Sequence, residues 1–155
     1  MNCTCGSIGA PKELRRCPEH YSYWLGDRRL DSVSKVIRTL LPVDYSMVAP
    51  AVLEAARLRG TFVDTYLCEY LSGMPMLSFK ETAEFIQQQF PFNGDREALT
   101  NDTVRRMEHV INWWQKSNLR AIAVQKTVFS ETDGVAGTLD IVTEDQIIEL
   151  KCTAK

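Results

Sequence analysis

The chain has 155 residues, of which 45% are hydrophobic and 25% charged, the length and composition of one globular domain with room for a small appendage. The net charge of −2 is unevenly distributed. Residues 1–40 contain seven Lys/Arg and four Asp/Glu, a net charge of +3, whereas the remainder contains eleven Lys/Arg and sixteen Asp/Glu, a net charge of −5. This distribution excludes a uniformly basic DNA-binding surface, so nucleic-acid contacts must be local. Because no apolar run approaches the roughly 18 residues of a membrane span, and the N-terminus lacks the apolar core of a signal peptide, we expect a cytoplasmic protein without a membrane partner.

A group of metal-ligand residue types lies near the N-terminus. Cys3, Cys5, Cys17 and His20 follow the pattern C-x-C-x11-C-x2-H. Thiolates and imidazole suit tetrahedral Zn²⁺, and so small a segment has too few apolar residues to fold without help. The pattern predicts a structural zinc module over residues 1–20, ahead of a second domain over 21–155. The alternative is reduced cytosolic thiols beside a surface histidine.

Hydrophobic periodicity and turn signals predict the elements that follow. We expect a strand over 21–25 closed by a turn at Gly26-Asp27, and then a helix over 32–40 capped by Ser32, with Val33, Val36, Ile37 and Leu40 on one face. A long helical pattern runs from Ser46 towards Gly73, and its Gly60 indicates close backbone packing or a local break. A short helix is predicted over 79–89, and a strand over 119–129. Between them a longer helix is predicted to begin at Asn101 or Asp102, and the residues on its buried face are Val104, Met107, Val110, Ile111 and Trp114.

The last twenty residues predict a β-hairpin, since apolar runs over 137–142 and 146–152 flank a polar turn. With Glu144-Asp145 as a two-residue loop, Asp140 lies opposite Glu149 and Thr138 opposite Lys151. Side chains alternate along a strand. One face is therefore wholly apolar and contains Leu139, Ile141, Ile148, Leu150 and Cys152. The other face carries the polar side chains of Thr138, Asp140, Glu149 and Lys151.

The polar face of this hairpin suggests a metal site. Directly opposed side chains have Cβ atoms roughly 4.5–5.5 Å apart, so Asp140 and Glu149 would repel unless a cation lay between them. Mg²⁺ and Mn²⁺ prefer such oxygen ligands. Lys151 would add a positive charge beside the metal, which suits hydrolysis of a phosphodiester. The alternative is the ordinary solvated face of a half-buried hairpin.

Three motifs in order resemble a known family. Gly137-Thr138-Leu139-Asp140 followed by Glu149-Leu150-Lys151 is similar to the signature of the PD-(D/E)xK nuclease superfamily, in particular its RecB-like branch common in phage genomes. Residues 23–34 resemble the opening strand and first helix of that family. The segment 59–64 (Arg-Gly-Thr-Phe-Val-Asp) resembles its helical Arg-Gly-Thr-x-x-His motif. The implied fold is an α/β restriction-endonuclease-like core, a mixed sheet flanked by helices.

The resemblance also implies roles for individual residues. Asp140, Glu149 and Lys151 would be catalytic. Mg²⁺ or Mn²⁺ would be held by Asp140, Glu149, the backbone carbonyl of Leu150 and Asp64. The partner would be DNA, and the activity that of an exonuclease in phage replication or recombination, within the cytoplasm of the host cell. The residues expected to contact the substrate are Arg28, Arg29 and Thr138.

The chain departs from the family pattern at three points. Asp64 stands where the motif has a histidine, and Gln125 stands where members often carry an acid. The chain also ends four residues after Lys151, before the usual final strand and helix with their Gln-x-x-x-Tyr motif. We therefore expect a C-terminally incomplete core with an open sheet edge. Three explanations fit this pattern equally: a truncated chain, a partner or second copy that covers the edge, and a degenerate domain. The alternative function is a non-catalytic DNA-binding or assembly protein that retains the nuclease fold.

Overall fold

The computed structural model describes residues 13–17, 22–88 and 92–152. As predicted, they form an α/β fold in which helices flank a mixed sheet. Two compact units are present, one from Met1–Asp44 with Gln125–Leu139 and the other from Tyr45–Val124 with Asp140–Lys155. The elements in chain order are β1 (Leu14–Cys17), β2 (Ser22–Leu25), β3 (Arg28–Ser32), α1 (Val33–Leu40), α2 (Pro50–Leu71), α3 (Phe79–Gln88), α4 (Arg96–Ser117), β4 (Ala123–Ser130), β5 (Val135–Val142) and β6 (Ile147–Ile148).

The first unit is built on the strand order β1-β2-β3-β5-β4. β2 is antiparallel to both β1 and β3, whereas β3 and β5 run parallel, with Asp31 paired to Val135. The turn predicted at Gly26-Asp27 is confirmed. Gly26 has φ +58°, a left-handed conformation that glycine adopts without a steric penalty. A buried apolar cluster lies against these strands and contains Tyr23, Leu25, Leu30 and Ala136.

Helix α1 begins where the sequence places it, because the Lys35 N–H donates to Ser32 Oγ at 3.1 Å. The apolar residues of its predicted face are not buried, however. Val33 is 43% exposed, Ile37 51% and Leu40 72%, and no residue of this helix is buried. The spacing of the apolar residues therefore predicts the helix correctly, but these residues do not form part of a buried core.

The second unit contains the three longer helical segments. α2 begins with Pro50 in its first turn and continues without a break through Gly60. α3 begins with a capping box: Glu81 accepts the Ser78 N–H at 2.8 Å, and Ser78 Oγ accepts the Glu81 N–H at 3.2 Å. None of the helices in the described ranges is long and apolar enough to cross a membrane.

Helix α4 is longer than predicted. It begins at Arg96, five residues before the expected start at Asn101, because Asp95 caps it by accepting the Ala98 N–H at 2.9 Å. Two buried threonines near this end of the helix have hydrogen-bond partners, since the hydroxyls of Thr100 and Thr103 donate to main-chain carbonyls one turn earlier. Asn118 ends the helix in the left-handed conformation.

The strand predicted over 119–129 is displaced towards the C-terminus. β4 spans Ala123–Ser130, because the chain leaves the left-handed Asn118 through a short irregular segment. Main-chain pairing is already present at Ile122, whose N–H donates to the Val142 carbonyl at 2.8 Å.

The main core of the second unit lies between α2, α4 and the C-terminal strand residues. Met107, Ile111 and Trp114 of α4 are buried in it, as predicted, whereas Trp113 is 48% exposed. The remaining buried members are Val63, Tyr66, Leu67 and Ile141.

Candidate active site

The C-terminal hairpin has the predicted turn and register. Val142 pairs with Ile147 and Ile141 with Ile148. The Thr143 N–H donates to the Gln146 carbonyl at 2.9 Å, and the Thr143 hydroxyl accepts the Gln146 N–H at 3.0 Å. Glu144-Asp145 is therefore the two-residue loop, and the buried Thr143 side chain fixes it.

The second strand of this hairpin is shorter than predicted. β6 contains only Ile147–Ile148, so the expected pairs of Asp140 with Glu149 and of Thr138 with Lys151 lie beyond its last paired residue. In a continued antiparallel ladder the Leu150 N–H would donate to a main-chain carbonyl. It donates instead to Oδ2 of Asp140 at 2.8 Å. The Asp140 side chain thus replaces the strand as the partner of this segment.

The predicted apolar face of the hairpin is confirmed in the second unit. Ile141 is 1% exposed, and Ile148, Leu150 and Cys152 pack against the same cluster of α2 and α4 side chains. The alternate residues Glu149 and Lys151 are exposed, at 53% and 69% of their side chains, and form an ion pair. A carboxylate and an ammonium group are therefore held together at the surface, next to the hydrogen bond between Leu150 and Asp140.

Asp64 lies on α2 and is half-buried, and its Oδ1 accepts a weak hydrogen bond from Cys68 Sγ at 3.8 Å. In the described part of the chain, no three His, Cys, Asp or Glu side chains are grouped so that they could hold a metal ion. The structure therefore connects Asp140 to Leu150 and Glu149 to Lys151, but it does not gather Asp64 with both Asp140 and Glu149.

The predicted substrate-binding residues belong to the first unit. Arg28 donates to the Glu131 carbonyl at 3.1 Å, and its guanidinium lies so close to Gly134 that a Cβ there would be 2.8 Å from Nη2. Thr138 Oγ1 and the Tyr23 hydroxyl share a hydrogen bond of 2.9 Å. Arg28 and Thr138 therefore have structural partners, whereas Arg29 is exposed on β3.

The chain finds no match among protein-family models, curated proteins or solved structures. The roles of these residues consequently depend on their geometry and on the resemblance of the motifs.

Three of the predicted zinc ligands, Cys3, Cys5 and His20, lie outside the described residues. Cys17 is buried at the end of β1, where it pairs with Ser22. The zinc module stays a prediction.

The structure contains one charged network that the sequence does not predict. The Asp102 carboxylate on α4 is bound by Arg59 of α2 and by Arg105 and Arg106 of its own helix. Burial would raise the pKa of Asp102, but the arginine hydrogen bonds and charges hold it below its ordinary value. The i,i+3 and i,i+4 spacings within α4 could have indicated two of these pairs, but nothing local indicates the one with Arg59.

Proposed function

We propose that the protein is a divalent-metal-dependent DNA nuclease of the PD-(D/E)xK type that hydrolyses phosphodiester bonds in the cytoplasm, an exonuclease of phage replication or recombination. The observation that carries this proposal is the 2.8 Å hydrogen bond from the Leu150 N–H to the Asp140 carboxylate. It fixes the segment Glu149-Leu150-Lys151 beside the one acidic residue of β5, which is the juxtaposition that the nuclease signature requires.

The donor set suits a hard cation. An ionised carboxylate has about four lone-pair sites, so Asp140 can accept the Leu150 N–H and still offer oxygen to a metal. Glu149 and the Leu150 carbonyl supply further oxygens within two residues. Mg²⁺ is usually bound through one or two carboxylates, with several waters retained, so a larger protein cage is not needed. A bound Mg²⁺ or Mn²⁺ would lower the pKa of a water and neutralise charge on the phosphate.

Lys151 is suited to stabilise charge on the phosphate. Its ammonium group has three donors, and the ion pair keeps it close to the Glu149 carboxylate while its side chain remains 69% exposed. One donor can hold Glu149 while another contacts a phosphate oxygen or the attacking water. The exposed position allows a polymeric substrate to approach.

The test is cleavage of end-labelled linear DNA and closed circular DNA with Mg²⁺ or Mn²⁺. Lys151→Ala and Asp140→Asn should each reduce cleavage of the linear substrate by about a hundredfold or more. Lys80→Ala is the matched control, because Lys80 is also an exposed lysine paired with a glutamate, Glu84 on α3. Cleavage of the circular substrate would contradict the exonuclease assignment. Absence of cleavage by folded, metal-replete wild type would contradict the nuclease.

The second candidate is a non-catalytic DNA-binding or assembly protein with the same fold. The observation that favours it is the exposed apolar face of α1, where Ile37 and Leu40 are more than half exposed. This candidate predicts DNA binding without cleavage, and binding that Asp140→Asn leaves unchanged.

A further inference from the structure

A row of three side chains crosses one face of the sheet in the first unit. Arg15 on β1 pairs with Trp24 on β2, and Trp24 pairs with Arg29 on β3. Directly paired residues point to the same face of an antiparallel sheet, with Cβ atoms roughly 4.5–5.5 Å apart. The alternate residues Tyr23 and Leu30 point to the opposite face, where they are buried in the core of this unit. The Arg-Trp-Arg row, Arg15, Trp24 and Arg29, therefore lies on the outer face, away from that core.

The indole ring of Trp24 lies along its own strand. Its Nε1–H donates to Oγ of Ser22 at 3.3 Å, two residues earlier on the same face. This bond satisfies the polar atom of the ring within the protein. Because Trp24 is only half-buried, part of the ring remains accessible from outside. A tryptophan ring held in this way can stack on a nucleic-acid base, since every base has a π-face.

The two arginines of the row are held differently. Arg15 Nη2 donates to the Gly26 carbonyl at 2.8 Å, which ties this guanidinium to the turn between β2 and β3. Arg29 is exposed on β3. Neither arginine forms an ion pair with a residue of the described ranges. A guanidinium has five N–H donors, so both arginines keep donors for an anion.

The acids of the outer face lie at its margins. Glu13 precedes β1, and Asp31, near the end of β3, is bound by Lys35 at 2.6 Å. The centre of this face thus has an aromatic ring with a guanidinium on each side. The row also belongs to the part of the chain with net positive charge, +3 over residues 1–40. Cations beside a stacking aromatic match a strand whose bases alternate with phosphates.

We propose that the Arg-Trp-Arg row is a binding platform for single-stranded DNA, in which one base stacks on Trp24 and the adjoining phosphates contact Arg15 and Arg29. An unpaired base is required, because the faces of a base in a duplex are already stacked on its neighbours. The identity of the strand as DNA rests on the proposed function. The preference for a single-stranded nucleic acid follows from the row itself.

The first experiment follows tryptophan fluorescence while the protein, in EDTA to prevent metal-dependent cleavage, is titrated with oligo(dT). A base stacked on Trp24 should quench the fluorescence, and Trp24→Ala should weaken binding about tenfold. Trp113→Ala is the matched control, because Trp113 is an exposed tryptophan of the second unit, and its affinity should equal that of wild type. Equal affinities of wild type and Trp24→Ala, or a larger loss in the control, would overturn the proposal.

Two further variants separate stacking from packing on the sheet. Trp24→Leu retains an apolar side chain without a π-face, so it should bind oligo(dT) as weakly as Trp24→Ala. Trp24→Phe supplies a smaller stacking ring and should recover most of the lost affinity. Circular dichroism shows that each variant is folded. If Trp24 serves only to pack the strands, the folded variants will all bind like wild type, and the proposal fails.

Arg29→Gln tests the phosphate contact. It should weaken binding at low salt and lower the slope of log affinity against log salt by about 0.7, the value for one phosphate contact on a single strand. Arg57→Gln is the matched control, since Arg57 is an exposed arginine of the second unit and the charge change is the same. Equal slopes for the two variants would remove Arg29 from the platform.

Competitors identify the class of ligand. At constant ionic strength, neither duplex DNA nor polyglutamate should displace oligo(dT), since both offer charge without an unpaired base. Displacement by polyglutamate that depends on Trp24 would assign the row to an acidic protein partner, and tighter binding of oligo(rU) than of oligo(dT) would overturn the assignment to DNA. Trp24-dependent binding in a protein that cleaves nothing would leave this proposal standing and remove the nuclease alone.

Discussion

The Asp140 carboxylate accepts a 2.8 Å hydrogen bond from the backbone N–H of Leu150. The side chain of Asp140 on the first hairpin strand thus replaces a main-chain carbonyl as the acceptor for the Leu150 N–H of the second. The regular ladder ends at Ile148. The next four residues, 149–152, are held by the hydrogen bond to Asp140 and by the apolar packing of Leu150 and Cys152. Because β6 is short, the Asp140 side chain is the hydrogen-bond partner of the Leu150 N–H.

This hydrogen bond predicts different effects for two substitutions at Asp140. Asp140→Asn retains a carbonyl oxygen that can accept the Leu150 N–H, so its unfolding free energy should stay close to that of wild type. Asp140→Ala leaves the N–H without this partner and should lower the unfolding free energy by about 1–3 kcal/mol. Urea denaturation of the three proteins measures the difference. Equal stability of the two variants would show that the hydrogen bond contributes nothing.

The exposed ion pair between Glu149 and Lys151 predicts a separation of stability from activity. Pairs of this kind contribute about 0–1 kcal/mol, so Glu149→Gln and Lys151→Gln should each unfold within about 1 kcal/mol of wild type. Both should lose metal-dependent cleavage, since each removes a charge that the proposed chemistry uses. Thermal denaturation and the linear-DNA assay, measured on the same preparations, test this. Retained cleavage in either variant would remove that residue from the site.

The sequence predicted the hairpin well because its determinants are local. Alternation of apolar residues and a two-residue polar loop fix the register of Ile141 with Ile148, and the structure confirms it. The apolar alternation continues to Cys152 and so predicts a longer second strand than the structure has, since β6 ends at Ile148. A side-chain acceptor at Asp140 is a competing partner that periodicity does not reveal.

The start of α4, the exposure of α1 and the contact of Arg59 with Asp102 also depend on interactions that apolar spacing does not encode. The start of α4 was missed because Asp95 lies outside the apolar periodicity, although its carboxylate caps the helix. The apolar face of α1 was predicted from spacing, but whether Ile37 is covered depends on elements distant in sequence. The contact of Arg59 with Asp102 joins residues 43 positions apart, and no local pattern encodes it.

The predicted zinc module gives a metal-content test. Purified protein should hold about one Zn²⁺ per chain, because four ligands of the right type are present. Cys3→Ser together with Cys5→Ser should abolish the bound zinc. Cys68→Ser is the control, since Cys68 lies on α2 in the second unit. Metal analysis after dialysis measures this, and zinc-free wild type that remains folded would contradict the module.

The position of Gly60 on α2 predicts that a small side chain there stabilises the protein and a large one destabilises it. Because the Cβ of an alanine there would meet Cys152 at an ordinary contact distance of 3.9 Å, Gly60→Ala should raise the unfolding free energy by about 0.5–1 kcal/mol through helix propensity. Gly60→Leu should lower it, since the larger side chain must displace the segment that carries Cys152. Urea denaturation of both variants gives the signs. Equal effects would show that Cys152 does not pack closely on this helix.

The arginines around Asp102 predict a dependence of stability on pH. Their hydrogen bonds and charges, acting against burial, hold the pKa of Asp102 in the folded protein below its ordinary value. The folded state therefore favours the ionised carboxylate, and this contribution to stability is present above about pH 4 and is lost as the pH falls through the lowered pKa. The pKa values of Asp31 and Glu81 are lowered as well, so wild type alone does not isolate the effect.

We expect the difference in unfolding free energy between wild type and Asp102→Asn to be constant from about pH 7 to pH 5 and to shrink below about pH 4. Urea denaturation of both proteins across this range measures it. A difference that stays constant down to about pH 2 would show that the Asp102 carboxylate is not preferentially stabilised by these arginines.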